Sequence, residues 1–334
     1  MHSNIPYPVY FAFEDDNIND VSVKVKSNDA NGQPSTATIG SYKLVAVASD
    51  PKRITSPNIA NIQGWLPRVK FDGDSNQLPT IAIVASYNTF GDAPSLSMGS
   101  DNNGSSVVAL LKIVRLFSVL YSNPKTRDYV ICLNSVGSHG NQLHLHVSKP
   151  PENACIQQIF QGFSTLAEEL GLQVGLKHKK INISNPRVAW EYEQFSRMRV
   201  TATTLSGLST APELLESKGG LADNRHFTSK VSIIRSVKLV AESIARHIYS
   251  QEKKIISIFA DDSSLVVNPS YIKSWLDLLS KTPRVAPFLS KNNPLIKALE
   301  KNLADHTAEV NVQHETLDGM FTFYDSTSGK LHIY

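Results

Sequence analysis

The most continuously apolar run in the chain, Thr80-Ile81-Ala82-Ile83-Val84-Ala85, has no polar interruption. That pattern predicts a strand buried on both faces by helices. Val107, Leu110, Leu111, Val114, Phe117 and Leu120 then recur three or four apart, which makes one face of a helix. Ser105 or Ser106 is expected to cap that helix, and Asn123-Pro124 to end it. Residues 129–133, 143–147 and 200–205 predict further strands, and residues 156–170 an amphipathic helix stopped at Gly171. Residues 231–249 predict a long helix with Val237, Val240, Ala241, Ile244, Ala245 and Ile248 on one side. Shorter helices are expected at 270–279 and 294–303, and closing strands at 310–312 and 320–324.

The N-terminal part is less regular. Residues 7–13 are strand-like, and Val21-Ser22-Val23-Lys24-Val25 alternates with period two, which predicts a half-buried strand. Residues 27–41, rich in Asn, Gly, Pro, Ser and Thr, read as a linker. Residues 42–48 predict a strand, and 50–67 carry three prolines and little periodicity. Strands alternating with helices indicate an α/β protein with a mixed, mostly parallel sheet covered by helices on both faces. The expected division is an N-terminal strand segment, 1–48, and a main domain, 49–334.

With 334 residues and 41% hydrophobic positions the chain can bury a sizeable core. A net charge of +3 without a concentrated basic tract argues against nucleic acid as a partner. The nearest cluster, Lys177-His178-Lys179-Lys180, reads as a solvated strand end. The two cysteines, Cys132 and Cys155, form no Cys-x-x-Cys motif, so a cysteine zinc site is excluded. Cys132 reads as a buried thiol, and pairing of the two is left open. No basic end followed by an apolar stretch opens the chain, and no run reaches the ~20 apolar residues of a membrane helix, so the chain as written reads as soluble.

Candidate chemistry is sparse. Ser86 lacks a Gly-x-Ser-x-Gly elbow. Asp101 opens the Gly/Asn/Ser-rich stretch 99–106 and reads as a helix-entry acid. His144 and His146 share a strand face, where a hydrogen-bonded pair is the plainer reading than a metal pair. Asn103-Gly104-Ser105 and Asn182-Ile183-Ser184 are glycosylation sequons.

The stretches LPTIAIVASYNTFGDAP, SMGSDNNGSSVVALLKIVRLFSVLY, LHLHVSKPP, HKKINI, AWEYEQF and FTFYD resemble the nicalin family, relatives of nicastrin within the zinc aminopeptidase-like superfamily. The resemblance implies an aminopeptidase-like fold. Active members of that superfamily carry His-x-Asp after the first strand, and here the position reads Ser86-Tyr87-Asn88. The bridging acid corresponds to Asp101, a further ligand aspartate to Asn134, and the final histidine falls near Gly207. The Glu-Glu pair that supplies the general base is missing, because the chain passes from Tyr121 to Tyr129 in a few residues. Four vestigial positions and one surviving acid imply no bound metal, no cofactor and no peptidase activity.

What the family further implies is a lumenal domain of an endoplasmic-reticulum membrane complex. Its partners there are a NOMO-type lumenal protein and a small multispanning subunit, with links to the translocon that inserts multispanning proteins and to restraint of Nodal signalling. Against the family pattern, one strand-helix unit is expected to be lost near 121–129, leaving unpaired strand edges. The segment 1–48 corresponds to a remnant of an accessory region. The chain reads as a fragment, splice variant or incomplete gene model, without the family's signal peptide and membrane anchor. Two alternatives remain: a metallopeptidase with a site rearranged around Asp101, His144 or His146, and a nicastrin-like substrate receptor with a pocket at Asn88 and Asn134.

Overall fold

The computed structural model describes residues 16–34, 44–47, 49–50, 52–66, 80–89, 94–120, 129–138, 140–152, 154–185, 188–211, 223–248, 258–261, 263, 265–285, 288–290, 292–316, 324 and 330–333. They fall into two units, Met1–Ser56 with Asp318–Tyr334, and Pro57–Leu317.

In the first unit, helix α1 (Asp16–Ala30) stands where period two predicted a strand at Val21 to Val25. Val21 and Val25, four apart, and Asn28, three further on, share a helical face and are among its sheltered positions, with Ile18 and Ser22, while Val23 is 65% exposed. Three alternating valines are too short a run to separate the two periods. Strand β1 (Leu44–Val47), as expected, pairs antiparallel with the last strand, β9 (Lys330–Ile333), and Arg53 bridges Tyr324. The expected strand 7–13, and 320–324 apart from Tyr324, lie outside the described residues. Of the expected linker, residues 27–30 belong to α1.

The second unit opens with β2 (Asn58–Gly64), a strand where little order was expected, paired antiparallel with β8 (Val310–Thr316). Its main sheet contains β3 (Ile81–Ala85), β4 (Tyr129–Asn134), β5 (Gln142–Val147), β6 (Gln173–His178) and β7 (Ala202–Ser206), in the order β3-β4-β7-β5-β6. β3, β4 and β7 run parallel, as do β5 and β6, and the two groups meet antiparallel at β5 and β7. The sheet is therefore mixed and mostly parallel, as expected. Within it, β4 pairs with β3 on one side and β7 on the other. β3 is itself an edge, so its apolar run is half-buried at all five residues, not enclosed.

The pleat sorts the side chains into two layers. Ile131, Leu133, Leu145 and Leu205 face α2 (Ser106–Leu120), α3 (Ala154–Glu169) and α5 (Lys230–Ile248) in the main core. α6 (Pro269–Leu279) and α7 (Pro294–Ala304) add Leu276 and Leu299 to it. Cys132 and Ala202 point the other way, against Trp190 and Tyr192 beside the short helix α4 (Glu191–Arg197). Cys132 is a free, fully buried thiol whose pKa burial pushes up. Gly171, at φ +65°, stops α3 as expected, with the Leu172 amide donating to the Ala167 carbonyl at 2.8 Å.

Among the described residues, one helical stretch, Ser100–Leu120, is long and apolar enough by composition to cross a membrane, at 21 residues and mean hydropathy 1.5. Here it is the core helix: Val108, Ala109 and Ile113 are at most 1% exposed.

Candidate functional site

Because β3, β4 and β7 are parallel, their carboxyl ends lie at one end of the sheet and the loops that leave them gather there. Ser86 and Asn88 leave β3, Asn134 ends β4, Gly207 follows β7, and Asp101 lies in a six-residue π-helical segment, Ser100–Ser105, that runs straight into α2. The sequence thus brings its five singled-out positions to one region. Hydrogen bonds within the fold hold Asn88, Asp101, Asn134 and Gly207 there.

After β4, three successive amides dock on the start of the helix. Ser135 N–H donates to the Asn102 carbonyl at 3.1 Å, Val136 N–H to Ser105 Oγ at 3.1 Å, and Gly137 N–H to Asp101 Oδ1 at 2.9 Å. Ser135 sits at φ 45°, a left-handed turn, and its carbonyl accepts from Gly207 N–H at 3.0 Å. Asn103 donates its side-chain amide to the Asn88 carbonyl.

The helix start is closed by Asp223, a residue that carried no signal in the sequence. Its Oδ1 accepts from Asp101 N–H at 2.7 Å, its Oδ2 from Asn102 N–H at 2.9 Å, and its carbonyl from Ser100 N–H at 3.1 Å. These amides would otherwise be orphaned at the positive end of the helix. Ser105 and Ser106 do not cap, contrary to expectation. Their hydroxyls donate back four residues, to the carbonyls of Asp101 and Asn102.

Two carboxylates meet here. Burial first, and then repulsion from Asp223, pushes the Asp101 carboxyl from 3.8 up to about 7, against hydrogen bonds from Ser105 and Gly137. A folded-state value above the unfolded one means that folding favours the protonated acid. Stability is then full below pH 4 and declines as pH rises through 7. Asp101→Asn keeps an acceptor for Gly137 and removes the charge. It is expected to be neutral at pH 4 and to stabilise by about 2 kcal/mol at pH 8. Urea unfolding at the two pH values checks this.

Asn134 is 1% exposed and faces an acid that the sequence reading did not assign. Its Nδ2 donates to Glu191 Oε1 at 2.7 Å, and Thr204 Oγ1 donates to Glu191 Oε2 at 3.4 Å. An aspartate at position 134 would set two carboxylates against each other.

Arg284 was also missed. It is completely buried, and its guanidinium donates to four carbonyls: Tyr87 at 2.7 Å, Gly99 at 2.8 Å, Thr282 at 3.3 Å, and Leu279. It therefore ties the loop after β3 to the residue preceding the π-helical segment, and both to the end of α6. Burial lowers its pKa to about 10, partly offset by Asp223, so it stays charged at neutral pH.

His144 and His146 lie on one sheet face, as period two requires. His146 stacks on Trp190, with ring centroids 4.1 Å apart, and bonds the Leu208 carbonyl through Nε2 at 2.8 Å. Burial holds it neutral, with a pKa of about 4. That Nε2 must carry a proton, so it is not free to ligate metal.

These residues do not fit a zinc ion. Ser86 and Gly207 offer neither imidazole nor carboxylate, Asn88 and Asn134 are carboxamides, and Asp101 is committed to Gly137. Among the described residues, no three of His, Cys, Asp and Glu are placed to hold a metal ion.

No family model matches the chain. BOS complex subunit ncln of Danio rerio is 30% identical over 98% of this chain and 68% of its own length, and the protein named Nicalin in Caenorhabditis elegans is 25% identical over 51% of this chain and 39% of its own. The chain belongs to the nicalin family. The human nicalin, BOS complex subunit NCLN, is 29% identical over 98% of this chain and 67% of its own length. That alignment runs to 385 residues against a chain of 334, so the human nicalin carries residues within the shared span that this member lacks. Among solved structures, the chain is similar to an aminopeptidase from Aneurinibacillus sp. strain AM-1 at 14% identity and TM-score 0.37, over 57% of this chain and 48% of that one. A likeness at that level assigns no residue a role.

Proposed function

We propose that this chain is a non-catalytic, aminopeptidase-like domain on the lumenal side of the endoplasmic-reticulum membrane, acting as a subunit of a membrane complex. The observation that carries this reading is the state of the former metal positions. Each is held by a side chain without the required chemistry or by one committed to a partner in the fold. The relatives named as BOS complex subunits support the assignment to a complex. Its partners on this reading are a NOMO-type lumenal protein and a small multispanning subunit. The complex serves insertion of multispanning proteins at the translocon and restrains Nodal signalling. The hydrogen-bonded loops around Asp101 and Asn134 then support a surface for partners, with no substrate turned over. Affinity purification of the tagged protein from its own membranes is expected to recover both partner types. Recovery of the protein alone would contradict the reading.

Lumenal placement has a second consequence. Asn182 is exposed, and its Oδ1 accepts from Ser184 N–H at 3.0 Å, which leaves its amide nitrogen outward. Asn103 spends that nitrogen on Asn88. A glycan is therefore expected on Asn182 and not on Asn103. Peptide mass spectrometry of protein from secretory cells decides this, and two unmodified sequons would count against lumenal placement.

A further inference from the structure

Strands β2 and β8 form a two-stranded sheet whose faces differ in chemistry. Ala60 is 5% exposed, and Ile62, Leu66 and Val310 pack against the main core. α7 lies against both strands. The pleat therefore turns Asn61 and Gln63 outward, and both are exposed. Asn61 pairs with Gln313 and Gln63 with Asn311, so Asn311 and Gln313, exposed as well, share that face. Opposed side chains of such pairs start roughly 5 Å apart, and successive pairs stand about 7 Å apart along the strands. The four carboxamides thus form one flat array.

Trp65 extends the array. Alternation after Gln63 places it outward, and it is 53% exposed. Its backbone is fixed, because its N–H donates to the Glu309 carbonyl at 3.2 Å and its carbonyl accepts from Ala308 N–H at 2.8 Å. Glu309 beside Trp65, and Glu315 opposite Ile59, are exposed and place a carboxylate at each end of the face. Asn61 Nδ2 donates to Glu315 Oε1 at 3.2 Å.

A polar outward face is ordinary for an antiparallel sheet. These residue types are not what strand formation selects, because asparagine is depleted in strands. A half-exposed indole leaves apolar area in water, and an aromatic beside polar groups is the composition of a recognition surface. Each carboxamide offers two N–H donors and a carbonyl acceptor without charge, which matches hydroxyl groups that both donate and accept. The flat indole suits the apolar C–H face of a sugar ring. The carboxylates at the two ends repel an anionic ligand and so favour a neutral one.

We propose that Asn61, Gln63, Asn311 and Gln313, with Trp65 as the stacking platform, bind a neutral oligosaccharide displayed on a glycoprotein. The site stands independently of the membrane-complex reading.

The test is binding of the whole chain to a panel of oligosaccharides coupled to a carrier protein. The panel holds neutral gluco-, manno- and galacto-configured sugars and their sialylated counterparts, with the bare carrier as blank. Saturable binding of at least one neutral sugar is expected, weaker for its sialylated counterpart. Trp65→Ala is expected to weaken it about tenfold or more, and Trp65→Phe, which keeps a ring, by less than about threefold. Gln313→Ala is expected to cost about threefold. Leu176→Ala, an exposed change on β6, is the control and is expected to leave binding unchanged. All four substitutions lie at exposed positions, and circular dichroism checks that each variant keeps the fold. No neutral sugar bound above the blank, binding confined to sialylated sugars, or binding unchanged in Trp65→Ala would overturn the proposal.

Discussion

Arg284→Met is expected to remove about 4 kcal/mol of folding stability, a large share of the ~5–15 kcal/mol that a typical domain possesses. The guanidinium serves four carbonyls, and methionine fills the stem while removing this donor from all of them, leaving the Gly99 and Leu279 carbonyls only the amides of Gly104 and Thr282. Hydrogen bonds from a charged donor are among the stronger ones, and the penalty for burying bare carbonyls adds to their loss. The losses are not additive, so the expected figure lies below the sum of four separate bonds. Arg284→Lys keeps the charge but not the planar fork, and it is expected to recover less than half of the loss. Urea unfolding followed by circular dichroism measures both. A loss within about 1 kcal/mol of zero for Arg284→Met would show that the loops after β3 and before α2 are held by something else.

Gly137→Ala is expected to cost about 3 kcal/mol, from crowding alone. A Cβ at this position would lie 2.7 Å from Ser105 Cβ, 2.7 Å from Thr228 Cγ2 and 2.9 Å from Asp101 Oδ1. None of these is a flexible tip. Ser105 Oγ holds Val136 N–H, Asp101 Oδ1 holds Gly137 itself, and the Gly137 carbonyl accepts from Ser229 N–H at 2.7 Å just ahead of α5. Relief by shifting Ser105 or Asp101 breaks one of these bonds. Gly140→Ala is the matched control, because its nearest neighbour would be 4.0 Å away, and it is expected to change stability by less than about 0.5 kcal/mol. Thermal melts of the two variants, side by side, separate a general intolerance of this loop from the specific clash.

The elements legible in the sequence were those whose signal is local and long. The buried run of β4, the 3.6-residue face of α5 and the stop at Gly171 each lie within one window of residues. The gathering of Asn88, Asp101, Asn134 and Gly207 was legible too, because parallel strands place their carboxyl-terminal loops together. Short segments failed. α1 offered three alternating valines that fit two periods, and β2, with sequence NIANIQG, pairs with the distant β8 and shows no clean alternation. The partners of the site were invisible for a different reason. Asp223 reaches Asp101 across 122 residues, Glu191 reaches Asn134 across 57, and Arg284 reaches Tyr87 across 197. No local spacing encodes a hydrogen bond of that range.

These three residues explain how the loops at this end of the sheet are held together. Zinc in a catalytic site joins loops from separate strands through three protein ligands. Here the loops after β3 and β4 and the segment that opens α2 are joined by Arg284, by the amides of 135–137 and by the cap from Asp223. Cross-linking by hydrogen bonds needs neither imidazole nor a carboxylate pair, which is consistent with Ser86, Asn88 and Asn134 at the ends of these strands.

The most direct test of this account is metal analysis of the purified chain, paired with hydrolysis of aminoacyl p-nitroanilides before and after chelation. The account predicts substoichiometric zinc and no chelator-sensitive hydrolysis. One or two zinc ions per chain, lost together with measurable aminopeptidase activity on chelation, would contradict it.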